Sequence, residues 1–289
     1  MKHDTLLHPS ASAAEPTTGE SGMRVTRRRF GIATLFATAG LLLPRNSFSL
    51  APEPAPLPSP AMATNIVLVH GAFADGSSWS RVIPLLEAKG FNVTAVQNPL
   101  TSLAEDVATT RRLLAQQTGP TILVGHSYAG IVVTQAGNAP NVVGLVYISS
   151  YGPAEGESHD DLVKRFPAPQ GLSAVRLDEN GYLWITREKF HEAFAHDVDL
   201  PQAAIMAAVQ KPISKKNCFG APVSAPAWKS KPSWFLVSDD DHMINPELLR
   251  FMAKRMGATI ASVPSSHASL VSHPVETANL ITEAAGHKA

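Results

Sequence analysis

The chain has 289 residues, 44% of them hydrophobic, which suffices for one large domain or two small ones around a sizeable core. Lys plus Arg equals Asp plus Glu at 24 each, with no basic stripe, so electrostatics gives no reason to expect a nucleic-acid partner. The single cysteine, Cys218, excludes an intrachain disulfide or a cysteine-built zinc cluster, and no repeat of solenoid period is present.

Residues 1–60 read as a disordered start, an export signal and a proline-rich spacer. Residues 1–22 are polar and lack apolar periodicity. Thr26-Arg27-Arg28-Arg29-Phe30-Gly31 then precedes the uncharged run 32–43, too short to span a bilayer comfortably, which is the layout of a secretory signal with a basic leading region. The paired arginines before Phe30 resemble a twin-arginine export signal. That resemblance implies a periplasmic or extracellular protein with no stable membrane partner after signal removal; an uncleaved anchor or a buried helix is the alternative. Residues 51–60 alternate proline with small residues, an extended spacer, and the fold begins near Ala61.

Residues 65–70 (Asn-Ile-Val-Leu-Val-His) form an apolar strand without alternation, as expected when helices cover both faces. It stops at His70-Gly71-Ala72-Phe73. Ser77 or Ser78 starts a helix with Trp79, Val82, Ile83, Leu85 and Leu86 on its packing face, and Lys89-Gly90 ends it. Residues 91–96 are a strand by β-branched content. Ser102 and Glu105 then form a capping box opening a helix to about Gln117, with Leu103, Val107, Leu113 and Leu114 as its buried stripe.

Residues 121–124 read as a short buried strand and the run after Gly130 as a buried helix, so Ser127 falls on the turn between them. A strand that reverses directly into a helix needs positive φ at its apex, and small residues two before and two after let the elements approach. Gly125 and Ala129 are those residues. The turn lifts the Ser127 hydroxyl clear of the sheet and aims the first free N–H groups of the helix at anything bonded to it. Gly125-His126-Ser127-Tyr128-Ala129 resembles the nucleophile elbow of the α/β-hydrolase family, usually Gly-x-Ser-x-Gly, with Ala129 in place of the second glycine and Gly130 directly after. A simple capped helix start is the competing reading of the Gly-x-Ser tripeptide alone.

Residues 141–149 supply another central strand, after which the alternation stops. The segment 151–230 carries many prolines, aromatic residues and two short helical patterns near 186–197 and 201–211. The expected fold class is α/β, a mostly parallel sheet with helices on both faces: a core of 61–150 and 231–289, and an inserted helical lid at 151–230. A lid over the C-terminal edge of a parallel sheet suits an apolar pocket, for which Phe73, Trp184 and Trp228 are the candidates. Residues 232–238 return to the buried-strand pattern and end in Asp239-Asp240-Asp241-His242. Asn245-Pro246 opens a helix through Arg255, residues 258–263 form a further strand, and Ser265-Ser266-His267-Ala268 precedes a final helix. Chain order is therefore Ser, Asp, His, the order of the α/β-hydrolase family.

A serine needs a neighbouring base, and the base needs a partner that fixes its tautomer. His267 is the base by position; His242, His273 and His126 are its rivals, His126 pointing opposite to Ser127 if it alternates along the strand end. The resemblance selects Asp241, three residues before Ile244, as the acid, with Asp240 and Asp239 in reserve. A weak Ca²⁺ site would need further oxygen ligands at calcium spacing, which are absent from the sequence. The resemblance also implies the backbone N–H groups of Ala72 and Tyr128 as an oxyanion hole, each donor worth roughly 3 to 4 kcal/mol, with His70 a structural residue bonded to nearby backbone.

Val69-His70-Gly71-Ala72-Phe73 and the elbow look like the small-lid branch that includes methylesterases and hydroxynitrile lyases. Ala268 stands where the lyases carry lysine, and Ser127 where dehalogenases and epoxide hydrolases carry aspartate. The activity implied is hydrolysis of a small or medium apolar carboxylic ester, a small-molecule substrate, through an acyl-enzyme on Ser127, with no metal or other cofactor. A ligand-binding or sensor protein on the same fold, or a cofactor-free oxygenase using the His–Asp pair, is the alternative. The double exchange Arg27→Lys and Arg28→Lys is expected to hold the protein in the cytoplasm, as read by cell fractionation; normal export would mean a different signal type.

Overall fold

The computed structural model describes residues 62–286, and the expected export signal and spacer lie outside them. The first half alternates strand and helix: β1 (Asn65–Val69), α1 (Ile83–Glu87), β2 (Asn92–Val96), α2 (Leu103–Leu114), β3 (Thr121–His126), α3 (Ala129–Ala136) and β4 (Val142–Ile148). The intervening segment holds α4 (His159–Leu162), β5 (Val175–Leu177), β6 (Tyr182–Ile185), α5 (Phe190–Phe194), α6 (Leu200–Val209) and β7 (Ile213–Ser214). Then come β8 (Ser233–Ser238), α7 (Pro246–Arg255), β9 (Thr259–Val263), α8 (Ser269–Ser272) and α9 (Pro274–Ala284). No helix among the described residues is long and apolar enough to cross a membrane.

Six strands form one sheet in the order β2-β1-β3-β4-β8-β9, with every pairing parallel. β1 and β3 are buried at every residue because both faces are covered. Neighbouring residues of β4 show the two sides. The Leu145 side chain reaches Gly137 at the end of α3, whereas a Cβ on Gly144 would point towards Ala284 of α9. The chain lays β2 on one side of β1 and β3 on the other. This makes the β1–β3 boundary a topological switch point, where the carboxyl ends of the strands leave a crevice.

Local chemistry shifts several expected boundaries. Asp75, rather than Ser77 or Ser78, caps the first helical turn, its carboxylate accepting the Ser77 N–H at 2.8 Å. A 3₁₀ turn over Gly76–Trp79 comes first, and Pro84 then opens α1. Ser102 Oγ accepts the Glu105 N–H at 3.2 Å, but the Glu105 carboxylate turns to the Thr101 hydroxyl, so only half of the capping box forms. The inserted segment is not purely helical, as its helical patterns alone had suggested. β5, β6 and β7 make a three-stranded antiparallel sheet, nucleated where Asp178 accepts the Asn180 and Tyr182 N–H groups and Gly181 turns at φ +83°.

At the β3–α3 turn Ser127 has φ +56°. A Cβ on Gly125 would lie 2.8 Å from the Ala129 carbonyl oxygen and 2.7 Å from Val133 Cγ2, so this glycine is what lets strand and helix approach. At Gly130 a Cβ would collide with the Tyr151 carbonyl oxygen and Ser150 Oγ. The chain leaving β4 thus demands the second glycine at 130, and position 129 tolerates a methyl group. Gly130→Ala is expected to lower unfolding free energy in urea by about 1–3 kcal/mol, the range for forcing a methyl into a packed site.

Candidate active site

Ser127, Asp241 and His267 follow β3, β8 and β9 and meet at the carboxyl edge of the sheet. His267 Nε2 lies 2.8 Å from Ser127 Oγ, and His267 Nδ1–H donates to Asp241 Oδ2 at 2.7 Å. The other Asp241 oxygen accepts the N–H groups of Met243 and Ile244 at 2.7 and 2.9 Å, which fixes the carboxylate's orientation. All three side chains are buried. The arrangement leaves Nε2 a bare acceptor towards the hydroxyl and places a carboxylate where an imidazolium would need one.

The remaining histidines have other duties. His126 Nε2–H donates to the His267 carbonyl at 2.8 Å, and its ring lies 4.7 Å from the His267 ring. Burial, and then the charge of His267, hold its basicity well below the ordinary imidazole range. His70 accepts the Asn98 N–H at Nε2 (2.9 Å) and donates Nδ1–H to the Gly71 carbonyl (2.9 Å), so its tautomer is locked. Burial lowers its pKa to about 4, against the opposing pull of the Gly71 carbonyl. His242 of the acid loop stacks on His196 of the insertion, and the His273 ring bonds to the Ser272 hydroxyl at 2.9 Å.

The Ala72 and Tyr128 N–H groups have no hydrogen-bond acceptor among the described residues. Gly71 brings the first of them close, since a Cβ there would sit 2.8 Å from Ser127 Cβ. The Tyr128 side chain is anchored on the far side: its hydroxyl donates to Asp106 Oδ2 at 2.8 Å, and Asp106 Oδ1 accepts the Leu100 N–H at 2.8 Å. Burial pushes the Asp106 carboxyl up to about 6 despite these two hydrogen bonds. Burial and the Asp106 charge push the Tyr128 phenol well above its ordinary range, and burial raises the neighbouring Cys218 thiol to about 12.

A cavity of about 140 Å³ opens on Ser127 and His267, walled by Ala72, Phe73, Tyr151, His159, Leu183 and Phe219 among others. His159 stacks on Phe219 at 4.0 Å with Tyr151 edge-on at 4.6 Å. Burial lowers the His159 pKa, with the Asp160 carboxylate opposing, and so favours a neutral wall. Asp160 and Lys215 are shared with a shallower outer groove of about 720 Å³.

Of the three expected pocket residues, Phe73 lines this cavity; Trp184 and Trp228 do not. Trp184 lies on β6 and turns outward, its indole N–H on Asp178 Oδ2 at 3.2 Å, while the adjacent Leu183 faces in. Trp228 is tied to the Pro153 carbonyl at 2.9 Å, away from Ser127. The wall residues Tyr151, His159 and Phe219 were not anticipated as such. Tyr151 had a signal: it lies three residues past the carboxyl end of β4, where side chains of a parallel sheet line a site.

Comparison with known proteins agrees with this layout. A family model described as the alpha/beta hydrolase family matches residues 66–280. The chain is 28% identical over 247 residues to a pyrethroid hydrolase of Sphingobium wenxiniae, covering 76% of this chain and 87% of that one. It is 25% identical over 216 residues to methylesterase 8 of Arabidopsis thaliana, covering 66% and 77%. A crystal structure of a pyrethroid hydrolase superposes with TM-score 0.69 at 25% identity, covering 76% of this chain and 96% of the other.

Asp106 makes stability pH-dependent in a defined direction. Its folded-state pKa of about 6 lies above the ordinary aspartate value of 3.8, so its stabilising contribution is complete below about pH 4 and is lost as pH rises through 6. Asp106→Asn cannot ionise. The stability of the parent minus that of the variant is expected to fall by about 2–3 kcal/mol between about pH 4 and 7, read by urea unfolding at each pH.

Proposed function

Because the chain belongs to the α/β hydrolase family, we propose that it is a carboxylic ester hydrolase working through an acyl-enzyme on Ser127. The observation that carries the reading is the pair of contacts at His267, 2.8 Å to the Ser127 hydroxyl and 2.7 Å to the Asp241 carboxylate. Ser127 Oγ attacks the ester carbonyl as its proton passes to His267 Nε2, and Asp241 stabilises the resulting imidazolium. The oxygen that gains charge faces the Ala72 and Tyr128 N–H groups. Collapse of the tetrahedral species breaks the C–O bond, and His267 returns the proton to the departing alcohol. Water then repeats the sequence against the acyl-enzyme, releasing the acid and restoring Ser127.

The cavity supports an uncharged, apolar substrate of small or medium size. Its walls are aromatic and aliphatic next to the hydroxyl, and burial shifts His159 towards its neutral form. Its volume of about 140 Å³ holds one arm of an ester, and the outer groove past Asp160 and Lys215 offers room for the other. The names of the pyrethroid hydrolase and methylesterase relatives favour an ester substrate. Ala268 supplies no ammonium beside the base, which argues against cyanohydrin cleavage. Export through the residue 26–43 signal, hence work outside the cytoplasm, is part of the proposal.

A fluorophosphonate is expected to label the parent protein stoichiometrically at Ser127, and p-nitrophenyl acetate to turn over steadily. Ser127→Ala should lower turnover by about 10⁴-fold or more with an unchanged melting temperature. Labelling with a single turnover would instead indicate a binding protein on this fold.

A further inference from the structure

Two histidines and an aspartate outside the proposed ester chemistry converge at the seam between the inserted segment and the acid loop. His196 follows α5 in the insertion, and Asp240 and His242 lie between β8 and α7. His196 Nε2 is 3.0 Å from Asp240 Oδ2 and His242 Nε2 is 3.6 Å from Asp240 Oδ1. The two rings stack at 4.1 Å, and one ligand atom from each residue falls within 4.8 Å of the others.

The hydrogen bonding of His242 makes this more than a surface ion pair. Its Nδ1 lies 3.0 Å from the Glu192 carbonyl, which can only accept, so Nδ1 carries the proton. In the neutral ring Nε2 then presents its lone pair towards a carboxylate oxygen 3.6 Å away, an arrangement satisfied by a proton on Nε2 or by a metal ion between the two atoms. A backbone carbonyl holding the far nitrogen is the usual support behind a metal-ligating histidine. His196 Nδ1 is buried without a hydrogen-bond partner, so nothing on that side fixes the ring's tautomer, and Nε2 can present either a proton to Asp240 or a lone pair to a metal ion. The side chains of His196 and His242 are 23% and 19% exposed and that of Asp240 is 68% exposed, so the nitrogens sit inside and the remaining coordination positions face solvent.

We propose that His196, Asp240 and His242 bind one divalent transition-metal ion of the Zn²⁺ class, which fastens the insertion to the core. Two imidazoles and one carboxylate are a borderline donor set that favours Zn²⁺, Cu²⁺ or Ni²⁺ over Ca²⁺ or Mg²⁺. Zinc–nitrogen bonds of about 2.0–2.1 Å lie in the ring planes, so binding rotates one imidazole out of the 4.1 Å stack as the three ligand atoms, within 4.8 Å of one another, close on the ion. The ion would act beside the proposed triad without touching it. Asp240 precedes Asp241, and His196 precedes Asp197, whose carboxylate accepts the Ser266 N–H at 3.0 Å next to His267. The site does not depend on the ester-hydrolase reading.

The test uses tag-free protein stripped with a chelator and titrated with ZnCl₂ by calorimetry, with melting temperature read in parallel. One Zn²⁺ per chain and a rise in melting temperature are expected, with no comparable effect of CaCl₂. His196→Ala and His242→Ala should each weaken binding by at least about tenfold, Asp240→Asn should weaken it too, and the histidine double variant should abolish it. Titration with CoCl₂ should give a visible ligand-field band that the double variant lacks. Undiminished binding by the double variant, equal binding of Ca²⁺, or no binding by the parent protein would overturn the proposal.

Discussion

A left-handed serine is the constraint around which the centre is built. An L-residue at φ +56° costs on the order of 1–3 kcal/mol, and Ser127 stays there because its surroundings leave no other place. Its N–H is held by the Ile148 carbonyl, and its own carbonyl accepts from the Gly130 N–H, the Tyr151 N–H and Ser150 Oγ. The exit of β4 therefore clamps the turn at the end of β3. Three glycines answer to this one torsion: Gly125 lets α3 return over the strand, Gly130 passes under Tyr151, and Gly71 leaves room for the serine itself.

The imidazole of His267 is held from two directions that share no sequence neighbourhood. From the core, His126 donates to its carbonyl, and the burial that keeps His126 neutral makes it a steady donor rather than a competitor for the proton. From the insertion, Phe194 presents its ring at 85° to the imidazole with centroids 4.8 Å apart, and Asp197 takes the Ser266 N–H. The insertion is therefore part of the scaffold that orients the ring as well as a wall of the cavity.

What could be read from the sequence is what repeats locally. Uninterrupted apolar runs in β1, β3 and β4 marked a sheet covered on both faces, and the small residues around Ser127 marked the turn. His70 was readable as a residue satisfied by backbone, because a His-Gly corner leaves its ring beside polar main chain. The insertion was not readable in this way. One step of strand parity decides that Leu183 and not Trp184 faces the cavity, and aromatic content carries no information on parity. The Asp178-to-Gly181 turn did signal a hairpin, but the helical patterns on either side obscured it. The contact of His126 with the His267 carbonyl spans 141 residues and leaves no local trace.

β9, which leads into the His267 loop, is an edge strand paired on one side only, and four of its five residues retain some solvent exposure. β3, which leads into Ser127, is central and buried throughout. Local opening is cheapest where few apolar contacts and few ladder bonds must break. The loop that bears the imidazole thus hangs from the least protected strand of the sheet, and the contacts from His126 and Phe194 are what tie it to better-protected parts of the fold.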